Sequence, residues 1–424
     1  MLAHLEDLMR QIPAPTFARS RRVGLLCTLA RELHACGTTA PRLEAALLGI
    51  AARLGLSAQV WSGPTLILLS VRECDQGSDD AVHTELLRVE PNDINLGRLC
   101  MLDDIAEALI AGEMDVAEAE AALQRALQPV SKGWNLAQTL IGFPLASVSV
   151  AGLLRAHPSE LVAAALIGLL IGFLALASER HPRLAENLSV IAAFLAALAA
   201  AAFAQWIAPV AFKVVLITSL IVLMPGLTLT VAVAELGMRH LVSGSARLAG
   251  GMVTLLELAF GALAGTKAAE LLGAFAHGAG PGGGPPWMAW AVVPIAGLAF
   301  SLLFRARLSD WPYVFAAAAI AYGVSHYGTD WAGPELGLFF AALLLALLSN
   351  AFARYLNRPG ALLRVPGLIL LVPGSVGFRS LSFIFEKDVY LGLDAAFSLI
   401  VMVASLTAGL LLGNSLMPPR RLTA

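Results

Sequence analysis

Charged side chains are scarce in this chain. Of its 424 residues only 14% are Asp, Glu, Lys or Arg, whereas 58% are hydrophobic. A soluble domain usually has about 25% charged residues, so an ordinary soluble protein is excluded and lipid is expected to cover the excess apolar surface. The net charge of −2 also provides no basic excess, and we therefore expect no nucleic-acid partner.

Cysteine is also rare, and recognisable catalytic motifs are missing. The four cysteines are Cys27, Cys36, Cys74 and Cys100. They form no C-x-x-C pair and no His cluster joins them, which predicts buried apolar side chains rather than a metal site or a disulfide. No Walker A, G-x-S-x-G or H-E-x-x-H motif is present. We therefore expect no catalytic residues, no metal and no cofactor.

The charges that are present are frequent in residues 1–131, which predicts a small soluble α+β domain. Apolar periodicity and turn residues predict an ααβββαα order with elements at 23–35, 41–54, 58–61, 65–71, 81–89, 96–110 and 115–128. Residues 1–22 lack the apolar core of a signal peptide, so this domain is expected to stay in the cytoplasm.

We expect the soluble domain to regulate or gate rather than to catalyse. Glu32 with His34, and Asp103 with Asp104, resemble acid–base pairs. Solvated helix faces explain both pairs more simply, and this is the interpretation that we favour.

The rest of the chain consists of long apolar runs separated by segments rich in charge, Pro and Gly. A spanning helix needs about 20 mostly apolar residues. Ten runs are candidates, near 136–154, 160–177, 188–208, 213–236, 246–265, 287–304, 311–326, 335–353, 361–385 and 390–413. They predict an all-α polytopic membrane protein with a five-helix module at 132–265, a linker at 266–286 and a second five-helix module at 287–424.

Basic residues predict the orientation of these spans, because short cytoplasmic loops carry more Lys and Arg. With the N-terminus inside, the inner loops and ends contain Lys132, Arg180, Arg183, Arg239, Arg247, Arg305, Arg307, Arg354, Arg358, Arg364, Arg420 and Arg421. The outer side contains Arg155, Lys213, Lys267, Arg379 and Lys387. This bias predicts that both termini are cytoplasmic.

The two modules match when the sequence is shifted by 148 residues without a gap. Pro225-Gly226 then falls on Pro373-Gly374, and three further glycines coincide: Gly244 with Gly392, Gly261 with Gly409, and Gly265 with Gly413. An odd number of spans in each module would insert the second module upside down. Inverted repeats recur in secondary transporters and allow alternating access, although a repeat kept only for packing is the alternative.

Each Pro-Gly pair interrupts a long apolar run, and this predicts two broken helices. Freed backbone groups must line protein or a watery cavity, so matched breaks indicate a binding site. The candidate substrate-binding residues are Pro225, Gly226, Thr228, Thr230, Pro373, Gly374, Ser375 and Arg379. Hydroxyls that only bond back to a kinked helix are the alternative.

Ionisable residues inside spans supply the other candidates. Glu257 lies within the fifth span, where a carboxyl group is costly and indicates function; with Glu235 it is assigned to proton coupling. Arg247 and Asp394, near span ends, are assigned to a gate, and a Glu235–Arg247 pair could lock the inner mouth. The position of Arg247 is also explained without a gate, because short cytoplasmic loops are rich in Lys and Arg.

These segments resemble the bacterial threonine/serine exporter family. Pro-Gly-Leu-Thr-Leu-Thr at 225–230, followed by Glu235 and Ser-Gly-Ser-Ala-Arg at 243–247, is similar to its first-module motif. Val-Pro-Gly-Ser-Val-Gly-Phe-Arg at 372–379 is similar to its second-module motif. The resemblance implies export of threonine or serine across the inner membrane, driven by the proton gradient.

The leading hypothesis is a proton-coupled exporter of small polar amino acids. A dicarboxylate exporter is the near alternative, because related two-chain members look like dicarboxylate exporters. A membrane-anchored hydrolase with its chemistry in the N-terminal domain is an alternative of another class, and a substrate sensor that regulates a partner is a fourth. The expected partners are a small-molecule substrate, protons and membrane lipid, and a homo-oligomer is left open.

Overall fold

The fold was analysed in a computed structural model of the chain. It describes residues 20–73, 82–90, 94–128, 131–274, 283–371, 374–385 and 388–418. Cys74 and Pro373, together with several of the basic residues counted for orientation, lie outside these ranges.

The N-terminal domain has the predicted ααβββαα order. Its elements are α1 (Arg21–Ala35), α2 (Ala40–Arg53), β1 (Leu56–Gly63), β2 (Leu66–Glu73), β3 (His83–Arg88), α3 (Leu96–Ala111) and α4 (Val116–Ala126). The three strands form one antiparallel sheet in the order β1-β2-β3. At the start of α4, Asp115 and Glu118 form the reciprocal capping box that their spacing indicates.

One apolar core joins this domain to the membrane part. Leu26, Leu47 and Ile67 of the N-terminal domain belong to the same buried cluster as Phe300 and Leu362. Three cysteines, Cys27, Cys36 and Cys100, are buried, as predicted. Burial raises the pKa of the Cys36 and Cys100 thiols to about 12, so both behave as small apolar side chains.

The remaining chain is helical in its described ranges. Its elements are α5 (Lys132–Leu153), α6 (Pro158–Ser178), α7 (Pro182–Glu186), α8 (Leu188–Trp206), α9 (Phe212–Ser219), α10 (Gly226–Gly237), α11 (Leu241–Leu271), α12 (Trp287–Ala291), α13 (Val293–Leu303), a 3₁₀ turn (Leu308–Asp310), α14 (Trp311–Ala332), α15 (Pro334–Tyr355), α16 (Ala361–Leu371), α17 (Gly374–Phe385) and α18 (Val389–Leu416).

Seven helical segments of the described chain are long and apolar enough to cross a membrane. They are Lys132–Leu153, Pro158–Ser178, Leu188–Trp206, Leu241–Leu271, Pro334–Tyr355, Ala361–Ile384 and Val389–Leu416. The protein is therefore a polytopic membrane protein. The other three predicted spans coincide with α9 and α10, with α12 and α13, and with α14, which do not meet the same criterion.

Helix boundaries repeat along the chain at the predicted offset. α11 begins at Leu241 and α18 at Val389, and 389 − 241 = 148. α10 begins at Gly226, and α17 is described from Gly374, 148 positions later. Packing repeats too, because α11 packs along α8 as α18 packs along α15. Each short helix also packs on the long helix of the other half: α10 packs on α18, and α17 packs on α11.

The matched glycines occupy equivalent positions in this packing. A Cβ built on Gly244 would lie 2.8 Å from the Ala232 carbonyl oxygen, and one on Gly392 would lie 3.1 Å from that of Ser380. Ala232 and Ser380 are themselves 148 positions apart, since 380 − 232 = 148. The glycine identities therefore reflect repeated close helix contacts.

Candidate functional site

The predicted first break is present. α9 ends at Ser219, a turn follows, and Pro225 (φ −80°, ψ 37°) precedes α10. In the second module, α16 ends at Leu371 and α17 begins at Gly374, and the residues between them are not described. In the first half a short helix thus begins at the glycine of a Pro-Gly pair, and in the second half the described part of α17 begins at the equivalent glycine.

These two helix starts are in contact with each other. A Cβ built on Gly374 would lie 3.3 Å from the Cα of Gly226 and 3.3 Å from the Cβ of Met224. The start of α10 therefore meets α17 at Gly374, and the positive end of the α10 helix lies at this contact. A helix N-terminus favours a carboxylate.

The hydroxyl groups near the two Pro-Gly pairs differ in whether they donate hydrogen bonds. Thr230 is fully buried, and its hydroxyl donates to the Gly226 carbonyl at 3.2 Å. This hydroxyl therefore bonds back to its own helix, as the alternative to substrate binding predicts. Thr228 and Ser375 are half-buried, and neither makes a side-chain hydrogen bond within the described ranges. Ser380 donates to the Gly392 carbonyl at 2.7 Å and so serves helix packing.

The Glu235–Arg247 pair that the sequence suggested is formed. Glu235 is fully buried near the end of α10, and its Oε2 lies 3.3 Å from Nε of Arg247. Ser243 donates its hydroxyl to the same oxygen at 2.7 Å. The other oxygen, Oε1, accepts the backbone N–H of Ala40 at 3.0 Å. One ion pair and two hydrogen bonds therefore hold this carboxylate in place.

The Ala40 contact attaches the N-terminal domain to the first module, and it was not foreseen from the sequence. Ala40 is the first residue of α2, and the preceding Thr39 makes no side-chain cap. The Glu235 carboxylate, which belongs to the membrane part, therefore caps the N-terminus of α2 and lies at the positive end of the dipole of that helix. His240 adds a contact, with Nδ1 3.7 Å from Oε2 of Glu44 on α2.

A second helix start attaches the same domain to the second module. Leu96, the first residue of α3, donates its N–H to the Phe304 carbonyl at 2.8 Å. The approach is close, because a Cβ built on Gly97 would lie 2.5 Å from the Arg305 carbonyl oxygen. The N-terminal domain therefore bridges both modules through the N-termini of two of its helices.

This docking corrects one expectation about the soluble domain. His34 and Asp103 are buried rather than solvated, whereas Asp104 is exposed. His34 Nε2 lies 3.2 Å from the Gly63 carbonyl. Burial lowers the pKa of His34, and the nearby Arg247 cation lowers it further. The prediction was wrong for these two residues because the membrane helices cover faces that would be wet in an isolated domain.

Glu257 lies in the middle of α11. It is ten residues from both Arg247 and Lys267, about 15 Å along the helix axis in each direction. Its side chain is half-buried, and it makes no hydrogen bond or ion pair with any residue in the described ranges. Among its neighbours, Leu256 and Phe260 are exposed and apolar. A proton-coupling role for Glu257 stays a prediction.

Arg379 lies beyond the predicted second break, on a cavity wall. It is five residues past Gly374, about 7 Å along α17. With Lys213 and Lys267 it lines a cavity of about 200 Å³ between α9, α11 and α17. Asp394, the other predicted gate residue, is exposed on α18.

The docked domain and this cavity lie towards opposite ends of α11. Arg247 is near the N-terminal domain, and Lys267 is at the cavity. Twenty residues separate them, which is about 30 Å of helix and close to the thickness of a bilayer core.

Comparison with known families decides the assignment. Residues 25–269 match the model ThrE, described as "Putative threonine/serine exporter". Residues 289–416 match ThrE_2, described as "Threonine/Serine exporter, ThrE". The chain belongs to the threonine/serine exporter family. The resemblance noted in the motifs of both modules is thereby confirmed.

This family member also has a curated relative in the fission yeast Schizosaccharomyces pombe, named "Uncharacterized protein C7D4.12c". The two are 25% identical over 369 residues, which is 83% of this chain and 46% of the relative. The chain thus spans about half the length of that relative. No solved structure matches the chain.

Proposed function

We propose that this chain is a secondary active exporter of small polar amino acids such as threonine and serine, driven by protons. The observation that carries the proposal is the contact between Gly226 and Gly374. Two broken helices that meet at their N-termini, one from each half of a repeat, form the kind of site that secondary transporters use.

The proposed architecture is ten spans in two inverted five-helix modules. The repeated helix starts and the exchanged contacts of α10 with α18 and of α17 with α11 support a two-fold relation between the halves. The short or less apolar segments α9 with α10, α12 with α13, and α14 are the additional spans. With the docked N-terminal domain on the inner side, both termini are cytoplasmic.

The substrate binds between the two breaks in this proposal. Its carboxylate faces the N-termini of α10 and α17, where backbone N–H groups are available as donors. Thr228 and Ser375 meet its ammonium or hydroxyl group, since their hydroxyls have no other described partner, and Thr230 stiffens α10. Arg379 adds a cation on the path from the second break to the cavity.

We assign the two carboxylates to different tasks. Glu257 carries the coupled proton, because it lies mid-span and no described cation is in contact with it. Glu235 was a second candidate for proton coupling. Its carboxylate pairs with Arg247 and accepts hydrogen bonds from Ser243 and Ala40, so Glu235 belongs to a cytoplasmic gate with Arg247.

The N-terminal domain takes part in that gate. It holds the first module through Ala40 and the second through Leu96. Alternating access moves one module against the other, so the movement strains at least one of these attachments. Asp394, exposed on α18, is proposed for the opposite gate.

Transport into inverted proteoliposomes tests this function. Labelled threonine, serine and a panel of dicarboxylates are compared with and without a pH gradient. Gradient-dependent uptake of threonine or serine is expected. Uptake of dicarboxylates alone would favour the alternative substrate class. Hydrolysis of an ester or amide by the purified chain, with no transport, would favour the hydrolase alternative.

A further inference from the structure

Arg42 is a cation in an unfavourable place. It is the third residue of α2, and the first turn of this helix contains no acidic residue. A helix N-terminus carries partial positive charge and disfavours a cation. The side chain of Arg42 is half-buried, and burial lowers the pKa of its guanidinium to about 10. The group therefore stays charged at neutral pH although it has lost part of its hydration.

Arg42 also lacks an acidic partner. Three other arginines of the N-terminal domain and its contact surface have one: Arg247 with Glu235 at 3.3 Å, Arg98 with Glu32 at 3.7 Å, and Arg307 with Asp104 at 4.0 Å. The Arg42 side chain makes no ion pair and no hydrogen bond within the described ranges. Glu44, two residues further along α2, accepts the Ser62 N–H at 2.8 Å and lies 3.7 Å from His240.

A partly desolvated cation without an acid is costly. Proteins break such local rules at functional sites, where the gain lies in function rather than in stability. An anion that arrives during the working cycle would supply the missing partner of Arg42.

Arg42 lies at the inner end of the proposed substrate path. Ala40, two residues before it and about 3 Å away along the helix axis, donates its N–H to Oε1 of Glu235. Glu235 belongs to α10, which begins at Gly226. Nine residues separate Glu235 from Gly226, or about 14 Å of helix. One short helix therefore leads from the docked start of α2 to the contact between Gly226 and Gly374.

We propose that Arg42 receives the carboxylate of the substrate at the cytoplasmic mouth, before the substrate moves along α10 to the contact between Gly226 and Gly374. This inference rests on the proposed export function and adds to it a specificity-determining residue from the N-terminal domain. The planar guanidinium can hold both oxygens of one carboxylate. A compound without a carboxylate gains nothing from this residue.

Uptake by the full chain in inverted proteoliposomes tests this role, because the cytoplasmic side then faces the added substrate. Arg42→Gln is expected to raise the KM for threonine about tenfold and to leave kcat within about twofold, since it removes one charged hydrogen-bond donor and leaves the central contact intact. Arg42→Lys should recover part of the affinity, because it restores the charge without the planar fork. An unchanged KM in Arg42→Gln would overturn the proposal.

The carboxylate itself is tested with threoninamide, in which an amide replaces that group. Arg42→Gln should weaken the competition of serine with labelled threonine about tenfold, in line with the loss of one charged hydrogen bond. It should not weaken the competition of threoninamide. Equal losses for both compounds would show that Arg42 acts through the structure of the mouth and not on the carboxylate, and the proposal would be wrong.

Arg53, the exposed last residue of α2, is the matched control. Arg53→Gln removes the same charge from the same helix and is expected to leave the KM unchanged. A rise equal to that of Arg42→Gln would reduce the effect to the general charge of the domain and contradict the proposal. Vesicles of neutral and of anionic lipid are compared as well: if Arg42→Gln alters uptake only in anionic lipid, a lipid phosphate is the partner of Arg42 and the substrate is not.

The same uptake measurement separates this inference from the export function. If the unchanged chain takes up neither threonine nor serine, the export proposal fails. If the unchanged chain takes them up and Arg42→Gln does so with the same KM, only the role of Arg42 fails. A raised KM for threonine, with threoninamide unaffected, is the result expected.

Discussion

Gly226 and Gly374 are 148 positions apart and touch through their backbones. A side chain on Gly374 would begin 3.3 Å from the Cα of Gly226, which is closer than an ordinary contact. The starts of two helices are thereby held together at the point where the two halves of the chain meet. The predictions below concern this contact, the docked N-terminal domain and the carboxylates.

Substitution at Gly374 tests the contact between the helix starts. Gly374→Ala is expected to lower transport, and Gly374→Leu to abolish it, because overpacking typically costs about 1–3 kcal/mol and forces the backbones apart. Transport rate and thermal stability in detergent are the measurements. Gly250→Ala is the control, since no atom lies within 4 Å of a Cβ built at Gly250. Equal loss in both variants would contradict the prediction.

Glu235→Gln tests the attachment of the N-terminal domain. The substitution keeps the shape of the side chain and removes its charge, leaving Arg247 without its anion. Breaking a buried ion pair in this way typically costs about 3–5 kcal/mol. Faster hydrogen exchange is expected at the start of α2, around Ala40. Ser243→Ala removes one hydrogen bond and should cost only about 1 kcal/mol.

The start of α3 should respond less than α2 to Glu235→Gln, because Leu96 is bonded to Phe304 and not to Glu235. Equal exchange at both helix starts, or no change at either, would contradict the role of Glu235 as the cap of α2.

Docking should weaken as the pH falls. The pKa of His34 is lowered by burial in the folded state, so the folded chain binds fewer protons than the unfolded chain. The stability from neutral His34 is present above the ordinary value of about 6.5 and is lost as pH falls below it. Hydrogen exchange at α1 and α2 between pH 7.5 and 5.5 measures this loss. His34→Gln should remove most of the pH dependence of hydrogen exchange at α1 and α2. If the variant kept the same pH profile, His34 would not be the group responsible.

Glu257→Gln tests proton coupling. The variant should express and bind threonine normally but lose the dependence of export on the pH gradient, because the amide cannot exchange a proton. Glu186→Gln, on an exposed loop helix, is the matched control and should behave as the unchanged chain does. Full gradient-driven export by Glu257→Gln would remove the proposed proton role.

Cysteine labelling in intact cells tests the orientation. After the native cysteines are replaced, Leu2→Cys and Thr423→Cys should be protected from an impermeant reagent, because both termini are expected inside. Leu271→Cys should react, since Leu271 is highly exposed at the C-terminal end of α11, which the proposed topology places outside. Reaction at position 2 or 423 from outside would reverse the proposed topology.

Much of the architecture follows from the sequence by itself. The membrane character comes from composition, and the order of helices and strands comes from apolar periodicity. The first break comes from Pro225-Gly226, because the proline lacks a donor and the glycine tolerates open backbone. The repeat was visible as glycines at a constant offset. The helix order and the first break are local features, so the chain encodes them within one or two turns of helix.

Only the tertiary structure decided which of these features meet. In the structure Gly226 contacts Gly374, and the Glu235 carboxylate accepts the N–H of Ala40 at the start of α2. His34 is buried, and Arg379 lines one cavity with two lysines. Periodicity alone predicted a wet face for His34, since a helix pattern does not show that another domain will cover it. Each of these contacts joins residues far apart in the chain, and their meeting depends on how whole helices pack rather than on the residues beside them.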